Sequence, residues 1–201
     1  MNGEPACLLS VALSVALGCL GASSLSLASA DDQTQPRVVA SRRMPDGKQW
    51  TLENLNVDSR SSYCYDDAAQ NCRRYGRLYT WEAARQGCES LGAGWRLPTN
   101  DEWGQLARRY GGVREESSDT GKAAYKALMT GGRSGLNALL AGDREPDGQW
   151  ARLEAHGFYW TATETAPTTA WFYNFGKGGA ALNRHRDGDK RRAASVRCVK
   201  E

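Results

Sequence analysis

The placement of its cysteines constrains this chain more than any other feature. Six occur in 201 residues: Cys7 and Cys19 lie in an apolar leader, and Cys64, Cys72, Cys88 and Cys198 lie in the body that follows. Leu8 to Leu27 carries no charge, and Ala28-Ser29-Ala30 is a small-x-small cleavage pattern before the polar Asp31-Asp32-Gln33. Residues 1–30 are therefore expected to be a signal peptide, and the protein to be exported to the periplasm, the cell surface or the medium. Met1 to Pro5 lacks the basic residue usual before such a run, so retention as an anchor and lipidation at Cys19 stand as alternatives. A membrane enters only through one of those two. Four cysteines in an exported domain imply two disulfides.

Residues 31–45 are polar and unpatterned and read as a flexible lead into one domain over 46–201. Asp46-Gly47 is a turn signal, after which Trp50, Leu52 and Leu55 suggest a first strand over Gln49–Leu55. Ser59–Arg74 reads as a cysteine-bounded loop. Thr80 is placed to cap a helix whose Trp81, Ala84, Cys88 and Leu91 share one face, which turns Cys88 inward. Thr99 followed by Glu102 is a capping box, with Trp103, Leu106 and Tyr110 as the apolar stripe of a second helix. Thr120–Met129 is a short third helix. Strand-like runs then follow at Leu139-Leu140, Gln149–Leu153, Gly157–Thr163, Ala170–Phe175 and Ala194–Val199. Helices first and strands after imply an α+β domain with a mainly antiparallel sheet. Val196 and Cys198 share one face of the last run, so Cys198 also points inward. These orientations pair Cys88 with Cys198 and leave Cys64 for Cys72.

Several of these motifs are recognisable in order. Gly94-Trp95-Arg96-Leu97-Pro98-Thr99-Asn100-Asp101-Glu102-Trp103 resembles a segment shared by the formylglycine-generating (sulfatase-modifying) enzymes and the Fibrobacter succinogenes major paralogous domain family. The second resemblance extends through Gln49-Trp50, Glu53-Asn54-Leu55-Asn56, Cys64-Tyr65, Asn71-Cys72, Tyr75–Trp81, Tyr159–Glu164 and Ser195–Val199. It implies a C-type-lectin-like fold, with two to three helices on a small twisted sheet and with loops carrying any function. The enzymatic relatives act through a late pair of copper-binding cysteines. Between Trp160 and Arg197 this chain has no cysteine, so that activity is not expected.

Without Glu4 the body carries 26 basic against 22 acidic residues, too mild an excess to imply a nucleic-acid partner. His156 and His185 lack a second histidine at metal spacing, and Ser195 reads as an outward strand serine. Asp143–Gly148 places oxygens at alternate positions, but the rest of a calcium loop is absent and a plain turn is expected. Arg184–Arg192 reads as a solvated hairpin tip. The glycan-binding Glu-Pro-Asn and Trp-Asn-Asp tripeptides of C-type lectins do not occur. A non-catalytic module that recognises a glycan or protein ligand, with no cofactor or metal, is the expectation. An enzyme on the same scaffold and a structural component of a surface assembly are the alternatives. Resemblance to the lectin-like fold points to Thr130–His156 and the adjoining Phe175–Arg186 for recognition. Contacts are expected from Arg133, Asn137, Trp150, Trp171 and Tyr173, with burial in the core as the competing fate of the three aromatics.

Overall fold

The computed structural model describes residues 39–201; the leader and residues 31–38 lie outside the described residues. In chain order the elements are β1 (Ser41–Arg43), β2 (Gln49–Thr51), β3 (Ser62–Tyr63), α1 (Ala69–Tyr75), β4 (Leu78–Tyr79), α2 (Trp81–Glu89), α3 (Asn100–Arg108) and α4 (Lys122–Leu128). Six strands follow: β5 (Ala141–Arg144), β6 (Trp150–Leu153), β7 (His156–Ala166), β8 (Thr169–Gly176), β9 (Ala181–Asp189) and β10 (Val199–Lys200). The domain is α+β. Its described strands form a five-stranded sheet ordered β6-β5-β7-β8-β9, a three-stranded sheet β1-β2-β10 and a hairpin β3-β4. All pairs are antiparallel except β5 with β7.

The start of α3 follows from its sequence. The Thr99 hydroxyl accepts from the Glu102 N–H at 3.2 Å, and the Glu102 carboxylate accepts from the Thr99 N–H at 2.8 Å, closing the capping box. Trp103, Leu106 and Tyr110 then fall on the buried face. In α2 the inward stripe Trp81, Ala84 and Cys88 is also buried, as is Leu91 just beyond its end, although Thr80 makes no side-chain cap bond. Alternation along the central strands sends Phe158, Trp160, Ala170 and Phe172 into the cluster around α2. It sends Tyr159, Tyr173, Phe175 and Leu182 into the cluster under α3 and α4. Helices therefore cover both faces of the large sheet.

The disulfides are Cys64–Cys72 and Cys88–Cys198, the pairing expected from the inward-facing positions. The closing segment differs from the expected strand over Ala194–Val199. Only Val199–Lys200 is a strand, and the residues before it cross between sheets: Ala193 bridges Arg144, Ala194 bridges Tyr79, and Ser195 bridges Tyr159. Ser195, Val196, Arg197 and Cys198 are all fully buried, so Ser195 does not face outward. The Asn54 side-chain amide donates to its hydroxyl at 3.3 Å.

Other expectations are corrected as well. Part of the stretch read as a flexible lead belongs to the domain, because Ser41–Arg43 pair with β2 and Met44 is buried. The loop Ser59–Arg74 contains most of α1. The first short run, expected at Leu139-Leu140, becomes a strand only at Ala141–Arg144. Arg184–Arg192 is no hairpin tip: most of it is β9, with Gly188 opposite Ala170. A Cβ at Gly188 would lie 2.7 Å from both Phe172 and Trp160, so this glycine serves a close packing contact instead of a turn. Asp143–Gly148 does form a turn, closed by the Gly148 N–H on the Glu145 carbonyl at 2.8 Å. Asp143 spends its carboxylate on Arg152, at 3.0 and 2.8 Å.

Glu102 also ties α3 to the chain ends of the small sheet. Arg96 donates to its two carboxylate oxygens at 2.7 and 2.8 Å, and Lys48 approaches at 3.3 Å. Burial alone would raise the Glu102 pKa, but the Arg96 fork, the Thr99 N–H and Lys48 outweigh it and hold the carboxyl at about 2. A depressed carboxyl stabilises the fold above its unfolded pKa and loses that contribution as pH falls through the folded one. Stability should therefore decline between about pH 4.5 and about 2. Glu102→Gln should cost roughly 1–3 kcal/mol at neutral pH and flatten that acid limb. Urea titrations of both proteins at pH 7 and pH 3 check this: an equal loss at both pH values would refute the role.

Candidate functional site

The five expected contact residues do not converge. Tyr173 is fully buried, stacks on Trp103 at 5.3 Å and donates its hydroxyl to the Asn100 carbonyl at 3.0 Å. Burial drives its pKa well above the ordinary phenol value, and the residue belongs to the core. Trp171 is half-buried, with the Arg184 guanidinium 5.2 Å from its ring centroid, beside a shallow depression of about 320 Å³. Trp150 is half-buried against Tyr65 and Tyr63, at 5.3 and 6.4 Å between centroids. Asn137 edges a separate pocket of about 400 Å³ with Asn54 and Tyr75. Of the five, Arg133 alone lines a cleft of about 740 Å³ beside α4.

That cleft is built from α4 and the loop that follows it. Tyr125, Ala127 and Met129 supply an apolar floor, and Lys122, Lys126 and Arg133 supply the charge; no acidic side chain lines it. Lys122 and Lys126 are four residues apart, which sets both on one side of the helix. Arg133 reaches back so that its guanidinium stands 5.0 Å from the Tyr110 ring centroid. Among the described residues none of these three cations forms an ion pair. Burial raises the Tyr125 pKa, which keeps the phenol neutral.

The loop over α4 is held closely. Gly131 has φ +77°, and a Cβ at Gly132 would meet the Ala127 and Lys126 carbonyl oxygens at 2.3 and 2.4 Å. The next turn is anchored from inside the domain by Arg197, which is fully buried. Its guanidinium donates to the Leu136 carbonyl at 2.8 Å, the Asn137 carbonyl at 2.7 Å, the Thr51 carbonyl at 3.0 Å and the Asn54 side-chain oxygen at 2.9 Å. Desolvation lowers its pKa from the usual arginine value, but the four acceptors solvate the charge in place of water. Arg42 donates to the Ser134 carbonyl beside it. Asn137 sits at φ +57°, a conformation Asn tolerates better than Ala, and its side-chain oxygen accepts from the Gly131 N–H at 3.4 Å. Its place is therefore in the support of the cleft loop.

Sequence reasoning missed Lys122, Tyr125, Lys126 and Met129 as site residues. The i, i+3, i+4 spacing of Lys122, Tyr125 and Lys126 was the available signal. It acquires meaning only once Gly131-Gly132 folds the following loop across the helix.

The fold and this site define a disulfide-stapled α+β domain of the kind found in oxidising compartments, with a loop-bounded cleft on a rigid core. Residues 39–200 match the Fibrobacter succinogenes major domain, and the chain belongs to that family. No curated protein matches the chain. Among the described residues no helix is long and apolar enough to cross a membrane, and no three His, Cys, Asp or Glu side chains are grouped to hold a metal ion.

Proposed function

We propose that the protein is an exported, non-catalytic binding module of C-type-lectin-like architecture that recognises an anionic portion of a glycan or protein ligand through the α4 cleft. The observation that carries this reading is the cleft's composition: an apolar floor under three cations without acidic partners. Cations left unpaired around a concave apolar surface favour a ligand that brings both negative charge and apolar area. The helix-and-sheet core, closed by the bridge between α2 and the last residues, supports the lectin-like assignment and keeps the loops in register. All four cysteines of the described residues are in disulfides, which favours a binding role over thiol or copper chemistry.

Screening the full chain against glycan and peptide arrays tests the reading, with hits ranked by salt dependence. Lys126→Gln and Arg133→Gln should each weaken the best hit about two- to fivefold at low salt, as expected for exposed charge contacts. Neither should lower the melting temperature. Arg133→Gln keeps most of the stem over Tyr110, so it reads the charge rather than the packing. Binding that ignores both substitutions and the salt concentration would sink the assignment to this cleft.

A further inference from the structure

The β5–β6 hairpin presents a second cationic group that the domain leaves without an anion. Arg144 is fixed at its backbone by reciprocal hydrogen bonds with Ala193, at 3.0 and 2.8 Å. Its guanidinium carbon lies 4.4 Å from the Tyr63 ring centroid and 5.4 Å from that of Trp150. Rings hold a guanidinium in orientation without consuming its donors. Among the described residues the Arg144 guanidinium makes no hydrogen bond or ion pair, and its Nε is shut away from solvent with no acceptor.

Every charged neighbour is treated differently. Arg152 forms a two-point contact with Asp143, and Arg192 donates to Glu145 at 3.0 Å. On the walls of the cleft of about 550 Å³ that Arg144 lines, Glu82 pairs with Arg85, Lys190 with Glu164, and Arg191 with Asp189. Arg144 alone among these is unpaired. Gly148 keeps space beside it: at φ +93° it carries no side chain, and a Cβ there would lie 3.1 Å from the Arg144 Nη2.

Three main-chain donors at this cleft are already used. The N–H of Trp81 bonds the Lys190 carbonyl, that of Lys190 bonds the Thr168 carbonyl, and that of Arg144 bonds the Ala193 carbonyl. A peptide adding as a strand could not use these three donors. What the cleft offers is one guanidinium without an acceptor, in a lining that also contains the rings of Trp81, Pro146 and Pro167. A sugar ring that bears a carboxylate matches it, its C–H face against the rings and its carboxylate on the fork. We propose that this cleft binds a uronic acid residue of a glycan, with Arg144 as the carboxylate anchor.

Calorimetric titration of the full chain with trigalacturonic acid and with its methyl ester tests this, because esterification removes the charge and keeps the rings. The free acid should bind saturably and at least tenfold more tightly than the ester. Arg144→Gln should weaken it at least tenfold, and Arg144→Lys, which keeps the charge but not the fork, should fall between. In the unmodified protein the Arg144 Nε–H resonance should shift on addition of the acid, a readout that needs no variant to fold. Equal binding of acid and ester, or a silent Arg144 resonance, would overturn the proposal. So would displacement of the sugar by an equal concentration of triglycine, which would mark a peptide-carboxylate site. Loss of uronate binding through Arg133→Gln but not through Arg144→Gln would move the ligand to the α4 cleft and overturn the proposal.

Discussion

Trp103→Ala is expected to lower folding stability by about 3–5 kcal/mol, the usual cost of deleting a large buried aromatic. Trp103 is fully buried and is the hub of the aromatic core. Its ring lies 4.9 Å from Trp50, 5.6 Å from Tyr159, 5.3 Å from Tyr173 and 6.4 Å from Phe175. These partners come from β2, β7 and β8, so one truncation loosens α3 from both the large and the small sheet. The indole N–H has no acceptor among the described residues. Trp103→Phe removes that unsatisfied donor and keeps most of the ring contacts, so its cost should fall to about 1–2 kcal/mol. Urea unfolding followed by far-ultraviolet circular dichroism reads both values. A loss under 1 kcal/mol for Trp103→Ala would mean that the helix does not depend on this contact.

How much of this was legible depended on whether one physical signal dominated locally. The capping box at Thr99 and the helical stripes of α2 and α3 are short-range chemistry, and the structure repeats them closely. The strand β9 was hidden because its charges look like a solvated tip. It is the edge of the five-stranded sheet, where charged side chains face water and ward off further pairing. Arg184 spends its charge on Glu116 at 3.0 Å, a contact made across elements and invisible to local pattern. Helix α1 was missed because its seven residues have no side-chain cap, and it lies largely within the small disulfide loop.

The closing segment shows a different limit. Alternation identifies a strand with one wet face, but Ser195–Val199 is dry on all sides, so period-2 reasoning turned Ser195 outward. Arg197, in the middle of it, satisfies carbonyls that belong to residues sixty or more positions away. No composition argument exposes that. Tyr173 and Trp171 illustrate the same point for the site: they stand two residues apart on β8, one in the core and one half-buried.

Removing the long bridge, as Cys88→Ala/Cys198→Ala, is expected to cost about 4–5 kcal/mol, against about 2–3 for Cys64→Ala/Cys72→Ala. The difference follows from the chain lengths closed, 110 and 8 residues, because cross-linking restricts the unfolded chain more when the loop is longer. A domain of ordinary stability has only about 5–15 kcal/mol to lose, so the first variant should be marginal or unfolded at 37 °C while the second still folds. Burial orders the chemistry in the same sense. Cys88 and Cys198 are fully buried, whereas Cys64 is half-exposed, so mild reductant under native conditions should open the short bridge first. Differential alkylation followed by peptide mapping measures that order, and thermal melts of the two double variants measure the stabilities. Equal losses in the two variants would mean that native contacts, more than loop entropy, decide what each bridge contributes. Early alkylation of Cys88 and Cys198 would show that the closing segment opens before the rest of the domain.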